Sequence, residues 1–238
     1  DRSRLAETGR LLGHRGPDSV GVHGAPGIGL VHTRLSLLDL TSRSDQPFWD
    51  DRRRYALVYN GEIYNFQELR TELEAMGVAF RTTSDTEVLL HGILELGVAS
   101  LLPRLEGMFA FGLWDSEERT LVIAQDRFGI KPLSIYEDDR VLMFASEIKA
   151  FGPWIPLQPD PLTASAYLSG FGGPTRSRSF FRDIEMLTPG SVREVRRGRP
   201  SVESSFFHIT DFWQPDAQER LRALRSARIV DRVDELLL

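Results

Sequence analysis

The sequence predicts a layered α+β domain in which helices flank antiparallel sheets that are covered on both faces. Two segments with helical spacing of apolar residues begin at Asn-x-x-Glu and Ser-x-x-Glu capping boxes and end at glycine. Between residues 108 and 145, short apolar runs alternate with polar turns, which is the pattern of an antiparallel meander. The first run, residues 107–114, is apolar on both faces, so its sheet needs cover on both sides.

The composition is that of an ordinary globular protein. The chain has 238 residues, 41% hydrophobic and 26% charged, enough for one large domain or two small ones. Its net charge of −5 argues against a nucleic-acid partner. No apolar run is long enough to span a bilayer and no signal-peptide pattern occurs, so we expect no membrane partner and a cytoplasmic location.

Two further features of the sequence limit its chemistry. It contains no Cys, which excludes disulfides, thiolate metal sites and a Cys nucleophile from these residues, and its five His lack metal-ligand spacing. We therefore expect no metal site. The sequence begins at Asp1 instead of Met and stops inside the apolar stretch 233–238, so we expect a fragment of a longer protein.

The first forty residues predict one helix and two β runs joined by a tight turn. Apolar spacing indicates a helix over 2–12, Gly and Pro indicate a turn over 14–18, and β runs cover 20–23 and 28–40. On a regular strand, Arg34 shares a face with the apolar residues of the second run. The alternative is an edge strand from which Arg34 extends into water.

The stretch 55–65 combines a β run with signals for a turn and a helix start. It reads Tyr-Ala-Leu-Val-Tyr-Asn-Gly-Glu-Ile-Tyr-Asn, and the pair Asn60-Gly61 favours a sharp turn. Such a turn leaves backbone N–H groups facing outward beside Glu62, which suits a site for a small polar molecule. The alternative is a hairpin turn without further function.

Two helices follow this stretch. The first begins at Asn65 and ends at Gly77, a short strand covers 78–83, and the second runs from Ser84 to Gly97. Asp85 lies in the first turn of the second helix, where the macrodipole favours its ionised form. The alternative for Asp85 is helix-start electrostatics alone.

The later elements follow from the same signals. They are a helical turn over 146–151, a helix over 162–169, a Gly-rich loop over 170–174, β runs over 180–187 and 191–195, and an amphipathic helix over 216–238.

Arg34, Asn60-Gly61, Glu62 and Asp85 together match the chemistry of an α-amino acid. The guanidinium of Arg34 matches a carboxylate, and an ionised Asp85 pairs with an ammonium. Asn60 and the N–H of Gly61 are suited to donate to an oxyanion formed during attack on a carboxamide. This interpretation assumes that the residues converge in space.

Seven sequence blocks carry a further signal. They are His14-Arg-Gly-Pro-Asp18, His32-Thr-Arg-Leu-Ser-Leu-Leu-Asp-Leu40 with Gln46-Pro47, Asn60-Gly-Glu-Ile-Tyr-Asn65, Ser84-Asp-Thr-Glu87, Leu105-Glu-Gly-Met-Phe-Ala-Phe111, Asp126-Arg-Phe-Gly-Ile-Lys-Pro-Leu133 and Ala145-Ser-Glu-Ile-Lys149. In this order, these blocks resemble the N-terminal glutaminase domain of glutamine-hydrolysing asparagine synthetases.

The resemblance implies a class II glutamine amidotransferase with the fold of the N-terminal-nucleophile (Ntn) hydrolases. This fold is a four-layer αββα sandwich of two antiparallel sheets between helical layers. Residues 1–195 then form the amidotransferase domain, truncated at its N-terminus. Residues 196–238 form the connection, with a C-terminal connecting helix, towards a synthetase domain.

The same resemblance implies a role for each site residue. Arg34 binds the α-carboxylate of glutamine, Asp85 binds its ammonium, and Asn60 and Gly61 form the oxyanion hole. The residues implied to line the glutamine pocket are Arg34, Leu35, Ser36, Leu37, Leu38, Asn60, Gly61, Glu62 and Asp85.

Two parts of the family pattern have no counterpart in this sequence. The family's nucleophile is a Cys at the mature N-terminus, with its own α-amino group as the base. Its synthetase half carries a Ser-Gly-Gly-x-Asp-Ser loop, and residues 170–173 lack the Ser and the Asp. We therefore expect no cofactor in this chain, ATP and Mg²⁺ in the synthetase domain, and no glutamine hydrolysis by this chain alone.

The predicted function is hydrolysis of glutamine to glutamate and ammonia, for the ATP-dependent amidation of aspartate in the intact protein. The implied partners are glutamine, the synthetase domain of the same polypeptide and a second copy of the chain. Two alternatives stay open. One is a non-catalytic module that binds glutamine, and the other is the glutaminase of a relative with another acceptor, such as a β-lactam-forming or peptide-cyclising enzyme or a sugar or purine amidotransferase.

Overall fold

The computed structural model describes residues 1–170 and 177–212, together with Arg228, Val230, Asp231, Asp234 and Glu235. The chain divides into two compact units, Asp1–Phe206 and Phe207–Leu238. The predicted Gly-rich loop falls outside the described residues except for Gly170, and so does most of the helix predicted over 216–238, of which the five described residues are helical.

The first unit combines five α-helices with eleven strands among its described residues. The helices are α1 (Arg2–Leu12), α2 (Phe66–Ala75), α3 (Asp85–Leu96), α4 (Val98–Leu101) and α5 (Pro161–Leu168). The strands are β1 (Ser19–Ala25), β2 (Ile28–Arg34), β3 (Phe48–Trp49), β4 (Tyr55–Ile63), β5 (Gly107–Asp115), β6 (Thr120–Gln125), β7 (Ser134–Glu137), β8 (Leu142–Ala145), β9 (Ile184–Met186), β10 (Ser191–Arg196) and β11 (Val202–Ser205).

The strands form three antiparallel sheets, which confirms the predicted α+β class. The orders are β1-β2, β11-β10-β6-β5-β4-β3 and β8-β7-β9. The predicted meander holds within the pairs β5-β6 and β7-β8 but not between them, because β6 pairs with β10 and β7 with β9. The β10-β11 hairpin also runs across the domain boundary that the sequence placed after residue 195.

The six-stranded sheet is covered on both faces, as the two apolar faces of β5 predict. One face packs against α2 and α3 through a cluster that includes Phe109 and Phe111. The other packs against residues of β2 and β7 through a cluster that includes Ala110 and Trp114. Burying both faces of one strand in two separate clusters fixes this sheet as the centre of the unit.

Helix α1 covers the outer face of the β1-β2 hairpin. A Cβ at Gly29 would lie 2.8 Å from the Leu5 side chain, and one at Gly9 would lie 3.0 Å from Val20. Since Leu30 of β2 belongs to the opposite, inner face, the hairpin lies between α1 and the six-stranded sheet.

The strand predicted over 78–83 is absent from the structure. The N–H groups of Arg81 and Thr82 donate to the carboxylate of Glu87, so a side chain takes the place of a partner strand. The capping box at Asn65 is also wrong, because the Asn65 amide bonds the backbone of Arg104 and Glu106 instead. At the next helix, Ser84 does cap α3 by accepting from Thr86 N–H.

Among the described helices, none alone is long and apolar enough to cross a membrane. The segments Asp85–Leu96 and Val98–Arg104 pass the test only as a pair, which is bent by 117°.

Candidate functional site

The residues predicted to form the site lie at the end of β2, inside β4 and at the start of α3. Arg34 donates to the backbone carbonyl of Asp39, and a carboxylate oxygen of Asp39 accepts from Thr83 N–H over 2.9 Å. Two residues further on, Asp85 accepts from Ile63 N–H of β4 over 3.1 Å. Hydrogen bonds therefore link Arg34 to Asp39 and Asp39 to Thr83, two residues before Asp85, and Asp85 in turn bonds the strand that carries Asn60, Gly61 and Glu62.

Asn60 and Gly61 do not form the predicted turn. Both lie inside β4, opposite Ala110 and Phe109 of β5. Glycine is required at position 61 by close packing, because a Cβ there would lie 2.2 Å from the carbonyl oxygen of Met108. The outward-facing donors that we expected from a turn are supplied by the edge of a strand.

The Gly61 N–H points to the open edge of β4. On the same strand, Tyr59 N–H donates to Gln46 Oε1 over 2.6 Å and Ile63 N–H donates to Asp85. Alternate residues of a strand direct their N–H groups to the same side, so the Gly61 N–H lies between these two donors. Strand β3 pairs with β4 only through Phe48 and Trp49 and does not extend to this point.

Asn60 supplies a second donor beside Gly61. Its Nδ2 atom is buried and has no hydrogen-bond partner within the described part of the chain. A buried donor without a partner costs roughly 1–3 kcal/mol, so such groups are rare unless a ligand completes them. The side chain points to the face that Ala56 and Val58 share, between the two layers of strands.

Asp85 is a buried carboxylate with only 4% of its surface exposed. Its Oδ2 accepts from the Tyr59 hydroxyl over 2.7 Å and from Ile63 N–H. These donors lower its pKa, but burial is the largest effect and leaves the pKa of Asp85 raised, with the Glu62 carboxylate acting in the same direction. The sequence expectation that the helix start favours the ionised form is therefore corrected, since desolvation dominates.

Arg34 is buried and does not extend into water. Its Nη1 donates to Asp45 Oδ1 and to Thr41 O, both over 2.9 Å, and its Nη2 donates to the carbonyls of Leu38 and Asp39. The guanidinium thus holds the loop 38–45 in place. Its two terminal nitrogens are engaged by this loop, so a ligand carboxylate has to exchange with one of these partners.

The residues that follow Arg34 do not continue the predicted β run to Leu40. Strand β2 ends at Arg34, and the side chains of Leu35 and Leu37 are 53% and 64% exposed. Ser36 N–H donates to Asp18 Oδ2 over 2.7 Å, which anchors the segment. The predicted pocket residues 35–38 therefore lie on an open loop beside Arg34.

Three residues that bond this site were not singled out by the sequence. Tyr59 bonds Asp85, Gln46 bonds the backbone of β4, and His32 Nε2 bonds the carbonyl of Tyr59 over 3.0 Å. His32 lies on the face of β2 that Arg34 shares. Residues two positions apart on a strand share a face, so the spacing of His32 and Arg34 could have indicated that both belong to the site.

A cavity of about 650 Å³ opens between β2 and β8. Residues 58–60 of β4 and 110–112 of β5 form its floor, and α1 contributes Leu5 and Thr8 to its lining. His32 and Asn60 are the last residues of β2 and β4, respectively, that line it. In the part of the chain that the structure describes, β2 pairs only with β1 and β8 only with β7, so both strands present an unpaired edge to this cavity.

A family model described as a glutamine amidotransferase domain matches residues 1–207. The chain belongs to this family. It is a class II glutamine amidotransferase domain related at about 40% identity to asparagine synthetases, which confirms the resemblance seen in the sequence.

Three curated relatives show the extent of the similarity. Glutamine-hydrolysing asparagine synthetase 2 of Arabidopsis thaliana is 43% identical over 150 residues, which cover 63% of this chain and 25% of that protein. Asparagine synthetase B of Escherichia coli K12 is 41% identical, with coverage of 64% and 27%. The amidase chyE of Penicillium rubens is 38% identical, with coverage of 76% and 26%. The chain thus spans about a quarter of the length of these relatives.

A solved structure supports the fold of this amidotransferase domain. Glutamine phosphoribosylpyrophosphate amidotransferase from Bacillus subtilis superposes with a TM-score of 0.55 at 24% identity, covering 75% of this chain and 35% of that one. At this level of identity the likeness concerns the fold alone.

Proposed function

We propose that this chain is the glutaminase part of an asparagine synthetase-type amidotransferase, which hydrolyses glutamine to glutamate and ammonia. The observation that carries the proposal is the pair of donors on β4, the buried Asn60 Nδ2 without a partner and the Gly61 N–H on the open strand edge. Attack on the glutamine carboxamide turns its carbonyl oxygen into an oxyanion. Fixed donors of this kind stabilise such an oxyanion more than they stabilise the starting amide.

The two ends of glutamine have matching groups near these donors. The ammonium pairs with Asp85, whose buried carboxylate has a raised pKa and gains from a nearby cation. The α-carboxylate pairs with Arg34 and displaces the Asp45 carboxylate, which in this structure accepts a hydrogen bond from Nη1 of Arg34. The proposal assigns residues 35–38 and Glu62 to the pocket between these ends; they do not line the cavity between β2 and β8.

In this proposal the nucleophile comes from a Cys at the N-terminus of a segment outside these 238 residues. Its sulfur attacks the carboxamide carbon, the C–N bond breaks and ammonia leaves, and water then hydrolyses the thioester to glutamate. The α-amino group of the Cys acts as the base. Without this segment the chain is inactive.

The cavity between β2 and β8 suits a strand that carries this nucleophile. A strand placed there has an unpaired edge on each side, and one end of the cavity is lined by Asn60. Such a strand would join β1-β2 with β8-β7-β9 into one sheet. With α1 outside this sheet and α2 and α3 beyond the other, the result is the four-layer αββα Ntn-hydrolase sandwich.

We further propose aspartate as the acceptor, with ATP and Mg²⁺ bound in a synthetase domain beyond these residues. The similarity to several asparagine synthetases favours this acceptor, and the similarity to an amidase is the argument for a different one. Asparagine formation from aspartate and ATP by the intact protein distinguishes the two. The second candidate is a module that binds glutamine without cleaving it, which the absence of Cys from the sequence favours only if the natural gene also lacks the N-terminal Cys.

Two measurements test the proposal. Calorimetry with L-glutamine on the chain as it stands tests binding, and we expect Arg34→Ala and Asp85→Ala to abolish it. Glutamate release from glutamine, measured after a Cys-bearing segment is placed ahead of Asp1, tests hydrolysis. Binding without release from a folded, Cys-bearing chain would select the binding module, and unchanged affinity in both variants would remove the assigned pocket.

A further inference from the structure

The imidazole of His32 has one nitrogen engaged and one free. Its Nε2 lies 3.0 Å from the carbonyl oxygen of Tyr59, and because a carbonyl can only accept, Nε2 carries the proton. In the neutral ring Nδ1 is then an acceptor with an open lone pair. Nδ1 is buried and has no partner within the described residues. Burial lowers the pKa of His32 to about 4, so the ring is neutral at pH 7.

The cavity that His32 lines also contains a residue with a free donor. His32 and Asn60 both line the cavity between β2 and β8, and Asn60 directly follows the residue that His32 bonds. Asn60 Nδ2 is likewise buried and without a partner in the described structure. One cavity is therefore lined by a buried acceptor on β2 and a buried donor on β4, in the two facing layers, and each costs free energy until a ligand completes it.

A primary carboxamide is complementary to this pair. Its oxygen accepts from a donor such as Asn60 Nδ2, and its NH₂ group donates to an acceptor such as His32 Nδ1. A carboxylate presents only acceptors, so one of its oxygens would face the lone pair of Nδ1. A site built to hydrogen-bond one functional group discriminates strongly against an analogue that leaves its polar atoms unpaired.

We propose that His32 is a specificity-determining residue whose Nδ1 accepts a hydrogen bond from the carboxamide nitrogen of the substrate, while Asn60 Nδ2 donates to the carboxamide oxygen. These two atoms therefore bind glutamine more tightly than glutamate. After ammonia has left, they also disfavour binding of the glutamate product. This inference rests on the proposed glutaminase function and names the residue that distinguishes substrate from product in that site.

Two substitutions separate the nitrogens of the imidazole. In His32→Gln the side-chain NH₂ reaches the position of Nε2 and keeps the bond to Tyr59, but no acceptor remains at the position of Nδ1. In His32→Asn the side-chain oxygen lies at the position of Nδ1 and accepts, while the bond to Tyr59 is lost. The measured quantity is the ratio of the affinities for L-glutamine and L-glutamate, determined by calorimetry.

We expect the unsubstituted chain to prefer glutamine, and His32→Gln to reduce this preference about tenfold, which corresponds to one lost buried hydrogen bond. His32→Asn retains the preference, while its affinities for both ligands fall together. An unchanged ratio in folded His32→Gln would overturn the role of Nδ1. No glutamine binding by the unsubstituted chain would instead overturn the proposed function, and the inference with it.

A spectroscopic measurement covers the case in which His32→Gln does not fold. With ¹⁵N-labelled histidine, the Nδ1 resonance of His32 is expected to shift when glutamine binds, because the lone pair accepts a hydrogen bond. Saturating glutamate is expected to leave this resonance in place. Equal shifts with both ligands, or no shift with glutamine bound, would overturn the inference.

Discussion

The phenolic hydroxyl of Tyr59 donates a hydrogen bond to Oδ2 of Asp85 over 2.7 Å inside the core. The backbone of the same residue is held from both sides, since its N–H donates to Gln46 and its carbonyl accepts from His32. Tyr59 therefore connects the carboxylate assigned to the substrate ammonium with the strand that carries Asn60. Both halves of the proposed site depend on the placement of this residue.

Tyr59→Phe should destabilise the fold by about 1–3 kcal/mol, because Asp85 loses a donor and stays buried. Burial raises the pKa of Tyr59 well above its usual value, so the hydroxyl remains a donor throughout the accessible pH range. Urea unfolding at pH 7 measures the effect. Tyr64→Phe is the matched control, since Tyr64 is 62% exposed and its hydroxyl lies outside the core. Equal losses of stability in Tyr59→Phe and Tyr64→Phe would contradict the stabilising role assigned to the Tyr59 hydroxyl.

Asp85→Asn should change the pH dependence of stability. Burial raises the pKa of Asp85 in the folded state, so the native protein holds this proton more tightly than the unfolded chain does. The contribution of Asp85 is greatest below its unfolded pKa of about 4 and is lost as the pH rises through the folded pKa. Asn cannot ionise, so the stability of the variant relative to the parent should rise with pH.

Urea midpoints of both proteins at several values between about pH 4 and pH 7 measure this difference. The same variant should lose glutamine binding, because the amide carries no charge to pair with the ammonium. A stability difference that does not vary with pH would show that Asp85 titrates alike in the folded and unfolded states.

The sequence identified those elements whose signals are local. Ser84 caps α3 as predicted, although Glu87 bonds Arg81 and Thr82 and does not complete the predicted capping box. The two apolar faces of β5 correctly predicted a sheet buried on both sides. Pairing between distant strands, such as β6 with β10, leaves no local signal. The strand predicted over 78–83 failed because Glu87 bonds its N–H groups, a tertiary contact that replaces a partner strand.

The site shows the same division between local and distant information. Charge and chemistry singled out Arg34 and Asp85, but the Asn60-Gly61 pair was interpreted as a turn. The local preference of Asn-Gly for a turn is weaker than the pairing of the whole of β4 with β5, and this pairing holds both residues in the strand. The bond between Tyr59 and Asp85 spans 26 positions and could not be read from either segment.

Gly61→Ala should destabilise the fold by about 1–3 kcal/mol or more, because overpacking against backbone cannot be relieved by a side-chain rotation. The added Cβ would lie 2.2 Å from Met108 O and 2.7 Å from Phe109 Cα. Thermal unfolding checks the change. Gly13→Ala is the control, since Gly13 has a φ of −56° and an added Cβ meets nothing within 4 Å. That variant should be neutral or more stable by up to about 1 kcal/mol.

Asp126→Asn should destabilise the fold by about 3 kcal/mol, because the buried carboxylate of Asp126 accepts four backbone N–H groups. Oδ1 accepts from Phe128 and Ile130, and Oδ2 accepts from Phe109 and Lys131, all within 3.1 Å. In Asp126→Asn, the NH₂ group replaces one of the two oxygens and faces two backbone N–H groups, to which it cannot form hydrogen bonds.

Chemical denaturation of Asp126→Asn should be compared with that of Asp138→Asn. The exposed Asp138 accepts both of its backbone N–H groups through one oxygen, and its other oxygen accepts only from the Tyr136 hydroxyl, which can itself accept from an amide NH₂. If Asp126→Asn loses no more stability than Asp138→Asn, the buried oxygens of Asp126 do not have the stabilising role assigned to them.

Asp45→Asn should strengthen glutamine binding. Asp45 Oδ1 lies 2.9 Å from Nη1 of Arg34, the position that the proposal gives to the substrate carboxylate. The variant keeps an oxygen that can accept from Arg34 and from the Ser19 hydroxyl, so the loop retains its anchor, while the competing negative charge is removed. We expect a gain of about two- to fivefold in affinity, measured by calorimetry.

The control for this effect is Asp51→Asn, which removes a charge from the exposed ion pair with Arg81 and leaves Arg34 untouched. Because the two variants change the net charge equally, a gain confined to position 45 reports competition at Arg34. The gain should also shrink in high salt, which screens the repulsion between the partly exposed Asp45 carboxylate and the ligand carboxylate. Weaker or unchanged binding in Asp45→Asn would mean that Arg34 only anchors the loop 38–45 and that the carboxylate of glutamine binds elsewhere.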